Sequence, residues 1–342
     1  MVFYLGIQMS KHVYIIAEAG VNHNGRLDLA LKLCDAAKEA GVDAVKFQTW
    51  KTELIISKNT EMADYQKKNL GNDDSQYDML KKLELSYENF RLVKEHCDRI
   101  GIQFLSTADE TESLEFLCEL GMPFIKLGSG EITNIPYLRY CAKKNMPLII
   151  STGMCNLSDV AVAYDILTEA GASDITVLHC TTNYPCPMDE VNLNAMNTIK
   201  EALKCKVGYS DHTMGVEVPV AAVAMGAKII EKHFTLDRNM EGPDHKASLE
   251  PYELKDMVLK IRNIEMALGD GIKRPNASER SICKVVLKSI VANQPISKGT
   301  VLTEDMLAVK RSSTGIPAKN WDLIVGTAAV KDFVIDEPIT IQ

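Results

Sequence analysis

From Val13 onward the chain alternates short apolar runs, rich in β-branched residues, with longer stretches in which apolar positions recur every three or four residues. The short runs are VYIIAE, DAVKFQ, IQFLST, PFIKLG, PLIIST, ITVLHC, KVGYS and KIIEKHF. Runs of this kind separated by helical-period segments signal repeated βα units around a parallel sheet. The helical period is plain over 253–268, where Leu254, Met257, Val258, Ile261, Ile264 and Leu268 repeat and Gly269 follows as a C-cap. A polar insertion, Lys51 to Lys82, interrupts the second unit. Eight βα units in roughly 250 residues match a closed (β/α)8 TIM barrel better than an open doubly wound sheet.

After GDGIKRPNASER the pattern changes to short strands broken by Gly and Pro, with no long amphipathic helix. The expected organisation is a barrel over 1–270, a polar linker over 271–285 and a small β-rich domain over 286–342. Nucleotide cofactors lack their usual signatures, because LGSGEIT has no third glycine where a dinucleotide fingerprint needs one and no P-loop occurs.

Composition narrows the partners. The 342 residues carry 38 basic and 46 acidic side chains, a net charge of −8, without the basic run that neutralises a phosphate backbone. Nucleic acid and anionic membranes are therefore excluded as partners, and an anionic substrate must be met by a local cluster of donors. The nine cysteines form no C-x-x-C pair, so reduced thiols, Cys34 and Cys118 among them in apolar runs, and a cytoplasmic location are expected. The start MVFYLGIQMS lacks a basic n-region and is too short for an h-region. It reads as a short leading strand or an overlong start, with Met9 as a second initiation point. No apolar run reaches the ~20 residues that span a bilayer.

In such a barrel, reactive side chains sit at the carboxyl ends of the strands. Strand one ends in Glu18, strand two in Lys46 and Gln48, strand three in Thr107, and strand four in Lys126 followed by Ser129 and Glu131. Strand five gives Ser151 and Thr152, strand six CTTNYP, strand seven SDH and strand eight His233. A single lysine at a barrel mouth is most simply solvated or paired. Lys46 and Lys126 together with several hydroxyls form instead an anion site suited to a phosphate or carboxyphosphate group.

The stretch GYSDHTMG places Ser210, Asp211 and His212 in succession. Consecutive strand residues point to opposite faces, so these three cannot converge as a Ser-His-Asp relay. Ser210 and His212 share a face, and Asp211 points away toward a structural partner. His212 and His233 end neighbouring strands and can face one pocket, either as ligands of Mn, Zn, Fe or Co or as hydrogen-bonded core histidines.

Taken in order, IAEAGVNHNG, AVKFQT, FLST, KLGSGEITNIPYL, IISTGM, TTNYPCP, VGYSDHTMG, IIEKHFTLD, GPDHKASLEP and the closing KSIVA to KRSSTGI segment resemble the sialic acid synthase family. That family comprises N-acetylneuraminate synthase and its legionaminate and pseudaminate relatives, and the resemblance covers nearly the whole chain. It implies a TIM barrel followed by an antifreeze-like (SAF) domain, in a homodimer whose small domain lies over the partner's barrel. It also implies condensation of phosphoenolpyruvate with an open-chain N-acetylated amino sugar, releasing phosphate.

By motif, His212 and His233 look like ligands of a divalent cation, Mn²⁺ first and Mg²⁺ or Co²⁺ next, and Glu18 like the group that activates water. Lys46, Thr107, Lys126, Ser129, Ser151, Asn183 and Ser210 look like the phosphoenolpyruvate shell. Gln48, Glu131, Tyr184 and Asp244 look like sugar contacts, Arg311 resembles an arginine that reaches the N-acetyl group in the partner's site, and His245 is left as structural. N-acetylmannosamine is the first sugar expected. The rivals are 2,4-diacetamido-2,4,6-trideoxymannose, the legionaminate precursor, along with the pseudaminate precursor and a 6-phosphorylated sugar. A non-catalytic sugar- or ice-binding protein is disfavoured, since threonines such as Thr300, Thr303 and Thr314 are scattered and make no regular ice-binding face.

Overall fold

The eight apolar runs become eight parallel strands, β1 (Tyr14–Gly20), β2 (Ala44–Thr49), β3 (Gln103–Ala108), β4 (Ile125–Leu127), β5 (Leu148–Ser151), β6 (Ile175–His179), β7 (Lys206–Asp211) and β8 (Ile229–His233). They close in sequence order, β8 pairing with β1. The computed structural model describes residues 12–62, 66–67 and 75–341. The leading segment Met1–Ser10, read from sequence as a strand or an overlong start, lies outside these, as does part of the Lys51 to Lys82 insertion.

One long helix follows each strand: α1 (Leu27–Ala40), α2 (Tyr87–Ile100), α3 (Thr111–Glu119), α4 (Ile135–Ala142), α5 (Leu157–Glu169), α6 (Asn194–Leu203), α7 (Glu217–Ala224) and α8 (Pro251–Leu268). Local chemistry fixes their ends. Ser86 caps α2 by accepting from the Asn89 amide, and Asn156 with Asp159 forms a capping box on α5. Glu250 with Glu253 does the same on α8, where Pro251 opens the first turn. Within α8, Leu254, Met257, Val258 and Ile261 are buried, whereas Leu268 is exposed because the last turn runs beyond the barrel core.

Strand alternation sorts the barrel interior into layers. Ile16, Ala44, Leu105, Phe124, Ile149, Leu178 and Ile229 form a separate apolar cluster, the plug across the lumen. Gly208 fills the remaining position of this layer. A Cβ there would stand 2.4 Å from the Ile229 carbonyl oxygen and 2.6 Å from Leu178 Cδ2, so only glycine lets β7 approach β8. Two residues further along, the lining turns polar on seven of the strands, with Glu18, Lys46, Thr107, Lys126, Ser151, Ser210 and Glu231, and Cys180 takes the corresponding place just past β6.

The chain divides into two compact units, Met1–Gly269 and Asp270–Gln342. Within the second, β9 (Lys288–Ala292) and β10 (Leu307–Arg311) pair antiparallel. Its small core gathers Ile290, Ala292, Ile296, Leu302, Leu307, Ile324, Ala329, Phe333 and Ile339. A helix, α9 (Ala277–Val286), occupies most of the stretch expected as a linker, 271–285. Asn276 and Glu279 supply its capping box, and Ile282, Val285 and Val286 are exposed. The capping signal lies in NASE, inside the stretch read as polar linker.

All nine cysteines are free thiols, with Cys34 fully buried and Cys118 only half-buried. Among the described residues no helix is long and apolar enough to cross a membrane.

Candidate active site

A cavity of about 130 Å³ opens above the apolar plug and is lined from seven strands of the barrel and from the segment that follows β6. Its lower ring is the polar layer just described. Gln48, Asp109, Gly128, His212 and His233, two positions further along, form the upper ring, and Ser129, Cys180 and Tyr184 line the cavity from the loops. A larger cleft of about 620 Å³ lies between α5 and α6. It holds no lysine and no paired charges, so chemistry rather than size identifies the site.

Charge is concentrated in the lower ring. Lys46 Nζ is 2.7 Å from Glu18 Oε2, 2.8 Å from Thr107 Oγ1 and 3.6 Å from Glu231 Oε2. Lys126 Nζ donates to Ser151 Oγ at 2.8 Å and lies 3.4 Å from Glu231 Oε1, which also accepts from Ser210 Oγ at 2.9 Å. These side chains are nearly completely buried. Burial raises the Glu18 carboxyl above its ordinary range, more than Lys46 draws it down. For Glu231 burial acts in the same sense, but Lys126, Lys46 and the Ser210 hydroxyl overcome it and hold the carboxyl low. Two carboxylates in one cavity are thus pushed apart, one fixed as an anion and one poised to exchange a proton, the pattern that separates acid–base roles.

The upper ring presents imidazoles. His212 and His233 have ring centroids 5.5 Å apart, and the Tyr184 ring packs 4.2 Å from His212 and 5.5 Å from His233. Burial lowers the affinity of both imidazoles for protons. His212 Nδ1 is 2.6 Å from the Thr181 carbonyl oxygen, which assigns the proton to Nδ1 and leaves Nε2 as a lone-pair donor. His233 Nδ1 is buried with no hydrogen-bond partner and lies 3.9 Å from Asp244 Oδ2. Two neutral imidazoles, one with an orphaned ring nitrogen, fit a divalent transition cation. Among the described residues no group of three or more His, Cys, Asp or Glu is arranged to hold a metal alone, so the remaining positions would fall to water and substrate oxygens.

Ser129 is held by a contact that explains the glycine of IISTGM. The Gly153 amide donates to Ser129 Oγ at 2.9 Å, and a Cβ on Gly153 would stand 2.0 Å from Thr182 Oγ1. Behind the histidines, Asp211 turns away from the cavity. It pairs with Lys232 and accepts from the Thr213 amide and hydroxyl at 3.0 Å.

The structure brings Glu18, Lys46, Gln48, Thr107, Lys126, Ser129, Ser151, Tyr184, Ser210, His212 and His233 around one cavity. Asn183, Glu131 and Asp244 lie outside its lining. Glu131 is half-buried and accepts from Asn134 Nδ2 at 2.7 Å, and burial raises Asp244 to about 6. Arg311 ends β10 in the second unit and is exposed. His245 is tied to Thr235 Oγ1 at 2.7 Å, in keeping with a structural role. Sequence reasoning missed Glu231, Asp109 and Cys180. The signal was the two-residue period, which carries Glu231 with His233 and Asp109 with Thr107 onto the same inner face.

The NeuB family model matches residues 33–273 and the SAF domain model residues 288–342. The chain is 50% identical to the N,N'-diacetyllegionaminic acid synthase of Campylobacter jejuni, over 96% of this chain and 99% of that protein. It is 48% identical to the Legionella pneumophila protein of the same name, over 93% and 90% respectively. The crystal structure of N-acetylneuraminic acid (sialic acid) synthetase from Leptospira borgpetersenii, in complex with citrate, superposes with a TM-score of 0.71 at 34% identity. That match covers 80% of this chain and 92% of the other.

Proposed function

The chain belongs to the NeuB family and carries a SAF domain, and from that premise we propose that it is an N,N'-diacetyllegionaminic acid synthase, condensing phosphoenolpyruvate with 2,4-diacetamido-2,4,6-trideoxymannose. At the family level it is a phosphoenolpyruvate-dependent nonulosonic acid synthase, a transferase that forms a carbon–carbon bond. The observation carrying the choice of sugar is the near full-length identity to two proteins of that name. It favours the legionaminate precursor over N-acetylmannosamine, the first expectation from sequence.

The reaction joins C3 of phosphoenolpyruvate to the aldehyde carbon, whose oxygen takes up a proton. Water adds at C2, and cleavage of the C2–O bond releases phosphate with the bonding electrons and leaves the 2-keto acid. Lys46 and Lys126 are placed to offset the carboxylate and phosphate charges, with Thr107, Ser129, Ser151, Asn183 and Ser210 as neutral donors. Glu231, already anionic, keeps both lysines charged and oriented. Glu18, with its raised carboxyl, accepts the proton of the attacking water. A divalent cation, Mn²⁺ in preference to Mg²⁺ or Co²⁺, held by His212 and His233, supplies Lewis-acid polarisation of the aldehyde when bound.

Gln48, Glu131, Tyr184 and Asp244 contact the sugar in this reading. Arg311 approaches the N-acetyl group bound to the partner subunit of a homodimer.

The test is phosphoenolpyruvate consumption with 2,4-diacetamido-2,4,6-trideoxymannose against N-acetylmannosamine. Turnover of the diacetamido sugar with at least a tenfold higher kcat/KM is expected. Turnover of N-acetylmannosamine alone would overturn the choice of sugar.

A further inference from the structure

Most charged groups lining the cavity have partners. Lys46 is shared between Glu18 and Glu231, and Lys126 faces Glu231. Asp109 is the exception. It lines the cavity just past the end of β3, and among the described residues its carboxylate has no hydrogen bond or ion pair. Its amide donates to the Thr49 carbonyl oxygen at 3.2 Å, which fixes the backbone that carries it. Burial, with the nearby charge of Glu131, raises its carboxyl to about 7. An acid without a partner in such a place costs folding free energy, and its acceptor oxygens are left for a ligand.

Topology indicates which part of the ligand. The strands close in the order β1 to β8, so β3 stands across the lumen from β7. In the proposed function the aldehyde end of the sugar sits at His212 and His233, on the β7–β8 side. An open sugar chain extending from there meets the opposite wall with its distal carbons, where Gln48 and Asp109 line the upper ring. The distal half of a 2,4-diacetamido-2,4,6-trideoxy sugar has few donors, because C6 is a methyl group. The acetamido N–H at C4 is one of them.

We infer that Asp109 is a specificity-determining residue, its carboxylate accepting a hydrogen bond from the C4 acetamido N–H of the sugar. The inference rests on the proposed function, and it adds a residue to the sugar contacts. An N–H to carboxylate bond is worth about 10- to 100-fold in affinity, and a site built around such a bond rejects the analogue lacking the donor.

The experiment compares kcat/KM for the diacetamido sugar and for its analogue with hydrogen at C4, in wild type, Asp109→Ala and Asp109→Leu. Wild type should prefer the diacetamido sugar by about 10- to 100-fold, and both variants should bring the two sugars within about threefold. KM for phosphoenolpyruvate should change less than the sugar preference does, since Asp109 is within electrostatic reach of Lys46 and Lys126 but makes no ion pair with either. Leu preserves the side-chain shape without an acceptor, so it serves if the Ala variant does not fold. An unchanged preference in either folded variant overturns the inference and leaves the proposed function standing. A wild type that does not turn over the diacetamido sugar overturns the proposed function and this inference with it.

Discussion

Lys46 Nζ stands 2.7 Å from Glu18 Oε2, with the two side chains 2% and 1% exposed. Their opposition sets the state of the proposed base, because burial pushes the Glu18 carboxyl up while the ammonium opposes it. Glu18→Gln keeps the shape and removes the base. Turnover should fall by about 10²- to 10⁴-fold, and KM for phosphoenolpyruvate should change little, since Glu231 still holds Lys46. Steady-state kinetics check this, and a variant within threefold of wild type would remove Glu18 from the acid–base role.

Metal removal addresses the two imidazoles. Exhaustive EDTA treatment followed by dialysis should abolish turnover, and Mn²⁺ should restore it more fully than Mg²⁺ or Co²⁺. Direct binding gives a second readout. Paramagnetic titration of Mn²⁺ should show one site in wild type and at least tenfold weaker binding in His212→Ala and His233→Ala. Full activity after complete metal removal, or unchanged Mn²⁺ binding by both variants, would restore the reading of two hydrogen-bonded core histidines.

The barrel was legible because its signal is repeated eight times. Helical periods separate the apolar runs, and polar residues stand at or near the carboxyl ends of most of them. The lower ring was legible residue by residue where a strand ended in an unexpected charge, as at Lys46 and Lys126. Glu231 escaped because it sits one turn of the pleat inside His233, flanked by Ile230 and Lys232, and reads as an ordinary strand residue until its inner face is counted. Asp109 escaped because it follows Ala108 in a loop-like ADE. The helix Ala277–Val286 was hidden for a different reason: its capping box lies among residues whose polarity suggested a linker. What sequence could not supply was distance, above all the sharing of both lysines by Glu231.

Asp109 also predicts a dependence of stability on pH. Its folded-state carboxyl is raised to about 7 by burial and by Glu131, so the folded chain binds a proton that the unfolded chain has released. Stability linked to this group is therefore complete below the unfolded carboxylate range of about 4 and lost as pH rises through about 7. Asp109→Asn removes the penalty. Its melting temperature in the absence of substrates should match wild type at pH 4, exceed it by a margin that grows between about pH 4 and pH 7, and keep that margin at higher pH, as followed by circular dichroism. A difference independent of pH would mean that Asp109 is ionised freely in the folded protein. Stability given up at a residue kept for its ligand is the expected trade at a binding site.

Asp211 and Lys232 test what holds the histidines in place. The pair is fully buried, 0% exposed on both sides, and lies on the strand faces opposite His212 and His233. Asp211 accepts from Thr213, and Lys232 donates to the Thr213 carbonyl oxygen, so the pair ties β8 to the end of β7. Lys232→Met strands a buried carboxylate and should cost about 3–5 kcal/mol, whereas Asp211→Leu combined with Lys232→Met should recover most of that loss. Urea denaturation of the three proteins measures the difference. The double variant should nevertheless bind Mn²⁺ more weakly than wild type, because the ties that fix the two histidine-bearing strand ends are gone. Recovery of stability without recovery of Mn²⁺ affinity would separate positioning from folding, and recovery of both would reduce the pair to a structural filler.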